Sequence, residues 1–419
     1  MSHVLFFLGS GVSFPSDMPS VSCLTECVFE KPMVHSHGIY FEAETEESPQ
    51  ERGKEGGSSS DEVPILRRFL DHVRRKIANT SDEEQAITYE ELYHACQRVR
   101  QAERGEDPVS RVFTQQLSES LSLNESSPAL LEVPDSYDEV SNLEYTADHA
   151  KSLIQGVVNS ELDDEDCEIK GMHMIHEVIR DSDVERVTVA TLNHDRLIER
   201  FLEGGNSEGK AHLYEDGFSE VRGEVRIHVP GQIFRSDEPN RVIKPHGSVD
   251  WYLAEKEMPP PQEDKEMVYV KHSDPSDKRN YELRGGNNET YTIIGAGPFF
   301  LTGEAKGLQY GDNIIGDMTN ALTTSLADSD CVIVSGFGWK DKVMSKYLIN
   351  YLRWNRDNKI VFLYPNGPLK SNLYSWEDFG YLSSFLWNFH KERVKPYQIV
   401  DSINKYMKDT HWKEVKKKI

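Results

Sequence analysis

The stretch Val187 to Arg196, which reads VTVATLNHDR, constrains this chain more than any other. Val187-Thr188-Val189 is a β-branched run with the composition of a buried strand. It stops at Asn193-His194-Asp195, an amide, an imidazole and a carboxylate in a row. An open α/β sheet presents chemistry in this way, because ligands sit outside the carboxyl ends of its strands. A plainer reading stays open. Asn and Asp also start helices, and Asp195 leads into Leu197-Ile198-Glu199-Arg200-Phe201.

Three other strand ends carry unusual residues. Val4 to Leu8 (VLFFL) reads as a buried first strand and runs into Gly9-Ser10-Gly11. Glycines there allow a tight turn and a close backbone approach to an anion. The loop is neither a full GxGxxG, since Phe14 takes the sixth place, nor a phosphate loop with Gly-Lys-Ser/Thr. Arg241 to Ile243 is a short strand that ends at Lys244-Pro245-His246-Gly247. Cys331 to Val334 is another, ending in Ser335-Gly336-Phe337-Gly338. Behind it, Asp341 reads as the cap of a helix from Val343 to Trp354, and Lys359 to Leu363 as the next strand. Strand, helix, strand with short links predicts parallel pairing and a right-handed crossover.

The segments between are less specific. Phe41 to Glu62 is acidic, then Gly/Ser-rich, and reads as an exposed loop. From Pro64 to about Ile179 the apolar spacing is helical, as in Ile65, Leu66, Phe69, Leu70 and Val73. His212 to Phe234 reads as β-type, Glu257 to Asn288 as a loop excursion, and Thr290 to Ile294 as a strand. Asp312 to Leu326 reads as an amphipathic helix, and two helices, about Leu382–Phe389 and Tyr397–Met407, close the chain. The expected fold is α/β: a Rossmann-like parallel sheet with an inserted helical module and C-terminal helices. Residues 1–29 and 184–365 would form the sheet domain, 30–183 the acidic loop and helical insertion, and 366–419 the C-terminal helices.

Composition excludes several partners. With a net charge of -24 over 419 residues, the chain repels nucleic acid and anionic membranes. Its basic tail (Lys413, Lys416, Lys417, Lys418) reads as a solvated helix end. The 5 cysteines form no CxxC pair and no disulfide framework, which fits a reducing cytoplasm and no zinc ribbon. The apolar start is too short and lacks the basic region of a signal peptide, and no run of about 18 apolar residues exists to span a membrane.

Taken in order, the four strand ends resemble the sirtuin superfamily, and most closely the sirtuin-like proteins of bacterial anti-phage defence systems. Gly9 to Ser20 looks like their GAGVSxPSGxPS opening, and Thr191 to Glu199 resembles their TxNYDxLxE. Lys244 to Trp251 is similar to their KxHGSxDW, and Ser335 to Asp341 to their GYSxxD turn. Ser10 replaces the usual Ala, His194 replaces a frequent Tyr, and the Cys-x-x-Cys ribbon of the deacylases is absent.

The resemblance implies NAD as substrate and its hydrolysis to nicotinamide and ADP-ribose. Asn193 and His246 would be the catalytic pair. Asn193 can hold ribose hydroxyls or a water, and His246 can act as a base near neutral pH. Gly9, Ser10 and Gly11 would cradle the diphosphate, Asp195 would accept from the nicotinamide amide, and Ser335 and Gly336 would border the adenosine ribose. No metal is required for this chemistry. The resemblance also implies gating, by homo-oligomerisation or by a HerA-like hexameric ATPase partner. Two other readings stay open: a non-catalytic NAD or ADP-ribose sensor or scaffold, and, more remotely, an NAD-dependent protein deacylase.

Overall fold

The computed structural model describes residues 2–36, 39–42, 62–79, 87–105, 108–122, 129–134, 140–163, 166–205, 209–257, 265–272, 282–286, 289–294, 313–338, 341–354, 359–363, 400–403, 407–417 and 419. Its strands are, in chain order, β1 (His3–Leu8), β2 (Met33–Ser36), β3 (Ile39–Glu42), β4 (Arg186–Thr191), β5 (Val225–Ile227), β6 (Asn240–Ile243), β7 (Trp251–Glu257), β8 (Lys265–His272), β9 (Glu282–Arg284), β10 (Thr290–Ile293), β11 (Cys331–Ser335), β12 (Lys359–Leu363) and β13 (Val400–Ile403).

β1 lies inside a six-stranded sheet of order β13-β12-β11-β1-β4-β6. Every pairing in it is parallel. All six residues of β1 are buried, as expected of a strand covered on both faces. Alternate side chains enter opposite cores. Val4, Phe6 and Leu8 face a core that includes Leu66, Phe69, Leu153 and Val157 of the inserted helices. Leu5 and Phe7 face a second core with Met318, Leu322, Met344 and Leu348, from the helices Asn313–Asp328 and Lys342–Trp354. Full burial of each such side chain is worth about 1.5–3 kcal/mol. The architecture is thus the expected Rossmann-like α/β sheet.

The chain leaves β1 for β4 and β6 on one side, then returns to β11, β12 and β13 on the other. The order therefore reverses between β1 and β11, and an open parallel sheet leaves a crevice at such a point. The inserted helices span Glu62–Ala78, Tyr89–Glu103, Pro108–Ser122, Asn142–Leu162 and His173–Ile179, the first starting two residues before the predicted helical stretch. A hairpin, β2–β3, precedes them.

Three expectations change. Tyr397 to Met407 is not one helix: β13 occupies Val400–Ile403 and pairs in parallel with β12. A short segment with Val400 and Ile403 gains a full ladder at a sheet edge, and that outweighs weak helical spacing. Glu257 to Asn288 is not simply a loop, since it contributes β8 and β9 to a second, antiparallel sheet of order β5-β8-β7-β10-β9. That sheet buries one face, with Tyr252, Ala254, Val270, Leu283 and Tyr291, while charged side chains on the other face obscure its pattern in the sequence. Within His212–Phe234 only Val225–Ile227 is a strand, and Gln232–Arg235 is a helical turn. The predicted helix Leu382–Phe389 and the loop from 43 to 61 lie outside the described residues. Among the described residues no helix is long and apolar enough to cross a membrane.

Candidate functional site

At the strand-order reversal the loops after β1 and β11 lie directly against each other. The Gly9 N–H donates to Ser335 O at 3.0 Å, and the Gly11 N–H to Gly336 O at 3.1 Å. A Cβ on Gly9 would stand 2.5 Å from Gly336 O, and one on Gly11 2.8 Å from Gly336 Cα. Gly336 has φ +66, and its Cβ would meet Val12 N at 2.6 Å. The glycines are thus required by backbone-on-backbone packing, and the Gly9 and Gly11 N–H groups are already committed. Ser10 between them is exposed, and its hydroxyl enters no hydrogen bond among the described residues.

The end of β4 closes onto this loop. Asn193 donates its Nδ2 to Gly9 O at 3.3 Å and to Ser13 Oγ at 2.8 Å. Ser13 in turn donates to Asp195 Oδ2 at 2.8 Å. The other carboxylate oxygen, Oδ1, accepts the Leu197 N–H at 3.1 Å, at the start of the short helix Leu197–Arg200. Asp195 therefore serves as a helix-start acceptor and as an anchor for the β1 loop. Burial pushes its carboxyl above the ordinary range, against the pull of Lys244 and the Ser13 hydroxyl. The Asn193 side-chain oxygen makes no hydrogen bond within the described residues, so this end of the amide stays available as an acceptor.

β6 delivers His246 beside them. A turn closed by the Gly247 N–H on Lys244 O, at 3.0 Å, follows the strand, and Gly247 sits at φ +80 where a side chain is disfavoured. The Val249 N–H donates to His194 O at 3.0 Å, which stitches this loop to the Asn193 loop. The His194 and His246 rings are 6.3 Å apart, both buried. His246 Nε2 lies 3.2 Å from Asp341 Oδ2. Asp341 Oδ1 accepts the N–H groups of Val343 and Met344, each at 2.9 Å, so one carboxylate caps the helix and holds the imidazole.

A buried ionic platform supports these loops. Lys244, 1 % exposed, donates to Asp195 O at 2.5 Å, to Ser248 Oγ at 2.8 Å and to Glu199 Oε1 at 3.1 Å. Lys271 lies 3.0 Å from Asp216 Oδ2 and 3.6 Å from Asp250 Oδ2, and Arg196 Nε lies 3.3 Å from the same Asp250 oxygen. Arg226 grips Asp216 at 2.8 and 2.6 Å. These surrounding cations hold Asp216 and Asp250 below the usual carboxylate range despite full burial. Asp250 is thereby a fully buried partner of Arg196 and Lys271.

Gly9, Gly11, Ser335 and Gly336 come together, Asn193 touches Gly9, and Asp195 reaches the same loop through Ser13. His246 sits beside His194, the next residue along from Asn193. Sequence reasoning missed three members: Ser13, the Asp341 carboxylate as a partner of His246, and Lys244. Asp341 carried a signal as a helix cap, but nothing local tied it to a histidine 95 residues earlier.

No family profile and no curated protein matches this chain. Among solved structures it is similar to the sirtuin Sir2Tm bound to a propionylated peptide, at 12 % identity and a TM-score of 0.29, covering 93 % of this chain and 92 % of that one. It is also similar to a mutant Sir2 homologue in complex with ADP-ribose, at 10 % identity and a TM-score of 0.30, covering 94 % and 93 %. Likenesses at this level carry no conclusion about activity.

Proposed function

We propose that this protein hydrolyses NAD, cleaving the bond between nicotinamide and ribose to give nicotinamide and ADP-ribose. One observation carries the reading: Asn193 and the Asp341-held His246 stand on stitched loops at the carboxyl ends of neighbouring strands, next to the β1–β11 reversal. The motif resemblance to sirtuin-like defence proteins supplies the substrate.

The N-glycosidic bond breaks through an oxocarbenium-like state, and nicotinamide leaves as a neutral pyridine without a general acid. Asn193 offers its side-chain oxygen to a ribose hydroxyl or to the attacking water. As water adds to the anomeric carbon, its proton passes to His246, and Asp341 stabilises the imidazolium that forms. Gly9, Gly11, Ser335 and Gly336 shape the floor under the diphosphate and the adenosine ribose, with Ser10 as the loop's outward hydroxyl. Asp195 acts by holding Ser13 and Asn193 in place. Unchecked NAD loss would harm the cell, so the activity is gated by self-assembly or by a HerA-like ATPase partner, and it serves as an NAD-depleting effector of anti-phage defence.

The test is nicotinamide release from NAD by the purified protein beside Asn193→Ala and His246→Ala, alone and with any co-purifying partner. Loss of about 10²–10⁴-fold in the His246 variant supports the assignment of a base. Release that survives both substitutions overturns it. Binding of ADP-ribose without release under every condition would make the protein a sensor instead.

A further inference from the structure

A group of side chains far from this site has a separate chemistry. Hairpin β2–β3 pairs His35 with Tyr40 across its two strands, and their rings stack at 4.6 Å. The hairpin backbone rests on the helix Asn142–Leu162 at Gly156, where a Cβ would collide with Tyr40 O at 2.2 Å. The same helix carries His149. Glu62 opens the helix Glu62–Ala78. Three elements far apart in the chain thus send two imidazoles and one carboxylate to a single point.

His35 Nδ1 lies 3.2 Å, and His149 Nδ1 3.5 Å, from the same oxygen, Glu62 Oε2. The three ligand atoms all lie within 4.8 Å of one another. Zinc bound by N and O ligands at about 2.0–2.1 Å in a tetrahedron has ligand-to-ligand edges of about 3.3 Å. The two edges to Glu62 Oε2, 3.2 and 3.5 Å, match that length. The Tyr40 hydroxyl, buried with its ring, donates to Glu62 Oε2 at 3.1 Å and lies 3.0 Å from His149 Nδ1, a contact that a bound ion would replace. Such outer hydrogen bonds accompany metal-bound carboxylates. The side chains keep 14 to 26 % exposure, enough for a solvent ligand to complete four-coordination.

We propose that His35, Glu62 and His149 form a binding site for a divalent zinc-class ion, which ties hairpin β2–β3 to the two helices. It departs from the expectation that the protein binds no metal, and it does not depend on the hydrolase reading. The other grouping of this kind among the described residues is held by shorter hydrogen bonds. There Glu177 takes His411 Nδ1 and the Trp412 N–H, both at 2.6 Å, while His173 Nε2 meets Thr410 O at 3.0 Å.

The experiment uses the full chain, stripped with a chelator and titrated with Zn²⁺ alone and with Co²⁺ alone. Retention of about one zinc per chain after desalting, with a higher melting midpoint, is expected. His149→Ala and Glu62→Gln should each lose that equivalent, and His173→Ala should keep it. Bound Co²⁺ should show the visible absorption of four-coordinate nitrogen and oxygen ligation, a readout that needs no variant to fold. No retained zinc overturns the proposal and leaves a neutral hydrogen-bonded cluster. A near-ultraviolet thiolate band, or zinc retained by folded His149→Ala, overturns it by placing the ion elsewhere.

Discussion

His246 Nε2 and Asp341 Oδ2 stand 3.2 Å apart, although the two residues belong to opposite halves of the sheet. Asp341 has two duties that can be separated. Asn caps helices about as well as Asp, but it cannot stabilise a charged imidazole. Asp341→Asn should leave the unfolding midpoint nearly unchanged and slow nicotinamide release by at least about 10-fold. Asp341→Ala should lose both, with a stability cost of about 1 kcal/mol for the cap. Parallel kinetics and urea melts check the pair; equal activity in wild type and the Asn variant would remove Asp341 from the site.

Backbone contact between the β1 and β11 loops makes Gly336 intolerant of any side chain. Gly336→Ala combines a left-handed backbone, costing about 1–2 kcal/mol, with a Cβ placed 2.6 Å from Val12 N. A total loss of about 2 kcal/mol or more is expected in denaturant unfolding. Gly338, two residues on, has nothing within 4 Å of its Cβ position, so Gly338→Ala should change stability by less than about 0.5 kcal/mol.

Lys244 and Glu199 are both essentially sealed, at 2 % and 1 % side-chain exposure, and lie 3.1 Å apart. Removing Lys244 leaves the buried Glu199 with only its longer contact to Lys271, at 3.7 Å. Lys244→Met should cost about 3–5 kcal/mol, and adding Glu199→Gln should recover part of it, because an unpaired buried charge costs more than a missing pair. A double-mutant cycle by chemical denaturation measures the coupling. Additive losses would show that the pair is not coupled.

His3 supplies a pH dependence. Its ring is buried in β1, with Nε2 2.8 Å from Thr188 Oγ1. Burial first, then Arg186 and Arg241, push its pKa down to about 4. In the unfolded chain the same imidazole titrates near about 6.5. Between those values the unfolded state binds the proton and the folded state does not, so stability rises with pH across the window. The contribution is complete above about pH 6.5 and is lost as pH falls toward about 4, an effect of at most about 3 kcal/mol. Unfolding curves at pH 7 and pH 4.5 should lose less stability in His3→Gln than in wild type.

The sequence alone determined the elements whose residues interact with near neighbours or are buried on all sides. β1, β4, β11 and β12 stand out as short apolar runs because parallel strands covered on both faces cannot alternate. The inserted helices are legible from their 3.6-residue spacing, and Asp341 as a cap from its place before Lys342–Trp354. Only the tertiary structure decided the rest. Strand β13 and the antiparallel sheet depend on partners supplied from elsewhere in the chain, and the charged outer face of the antiparallel sheet masks its pattern. The glycines of the β1 and β11 loops look like a ligand cradle in sequence, yet the fold shows them spaced by each other's backbones. The links from Asp341 to His246, Ser13 to Asp195, and Glu62 to His35 and His149 span tens to hundreds of residues. No local preference encodes such a pair. It exists because packing both cores fixes where each strand and helix ends, and those ends carry the polar groups.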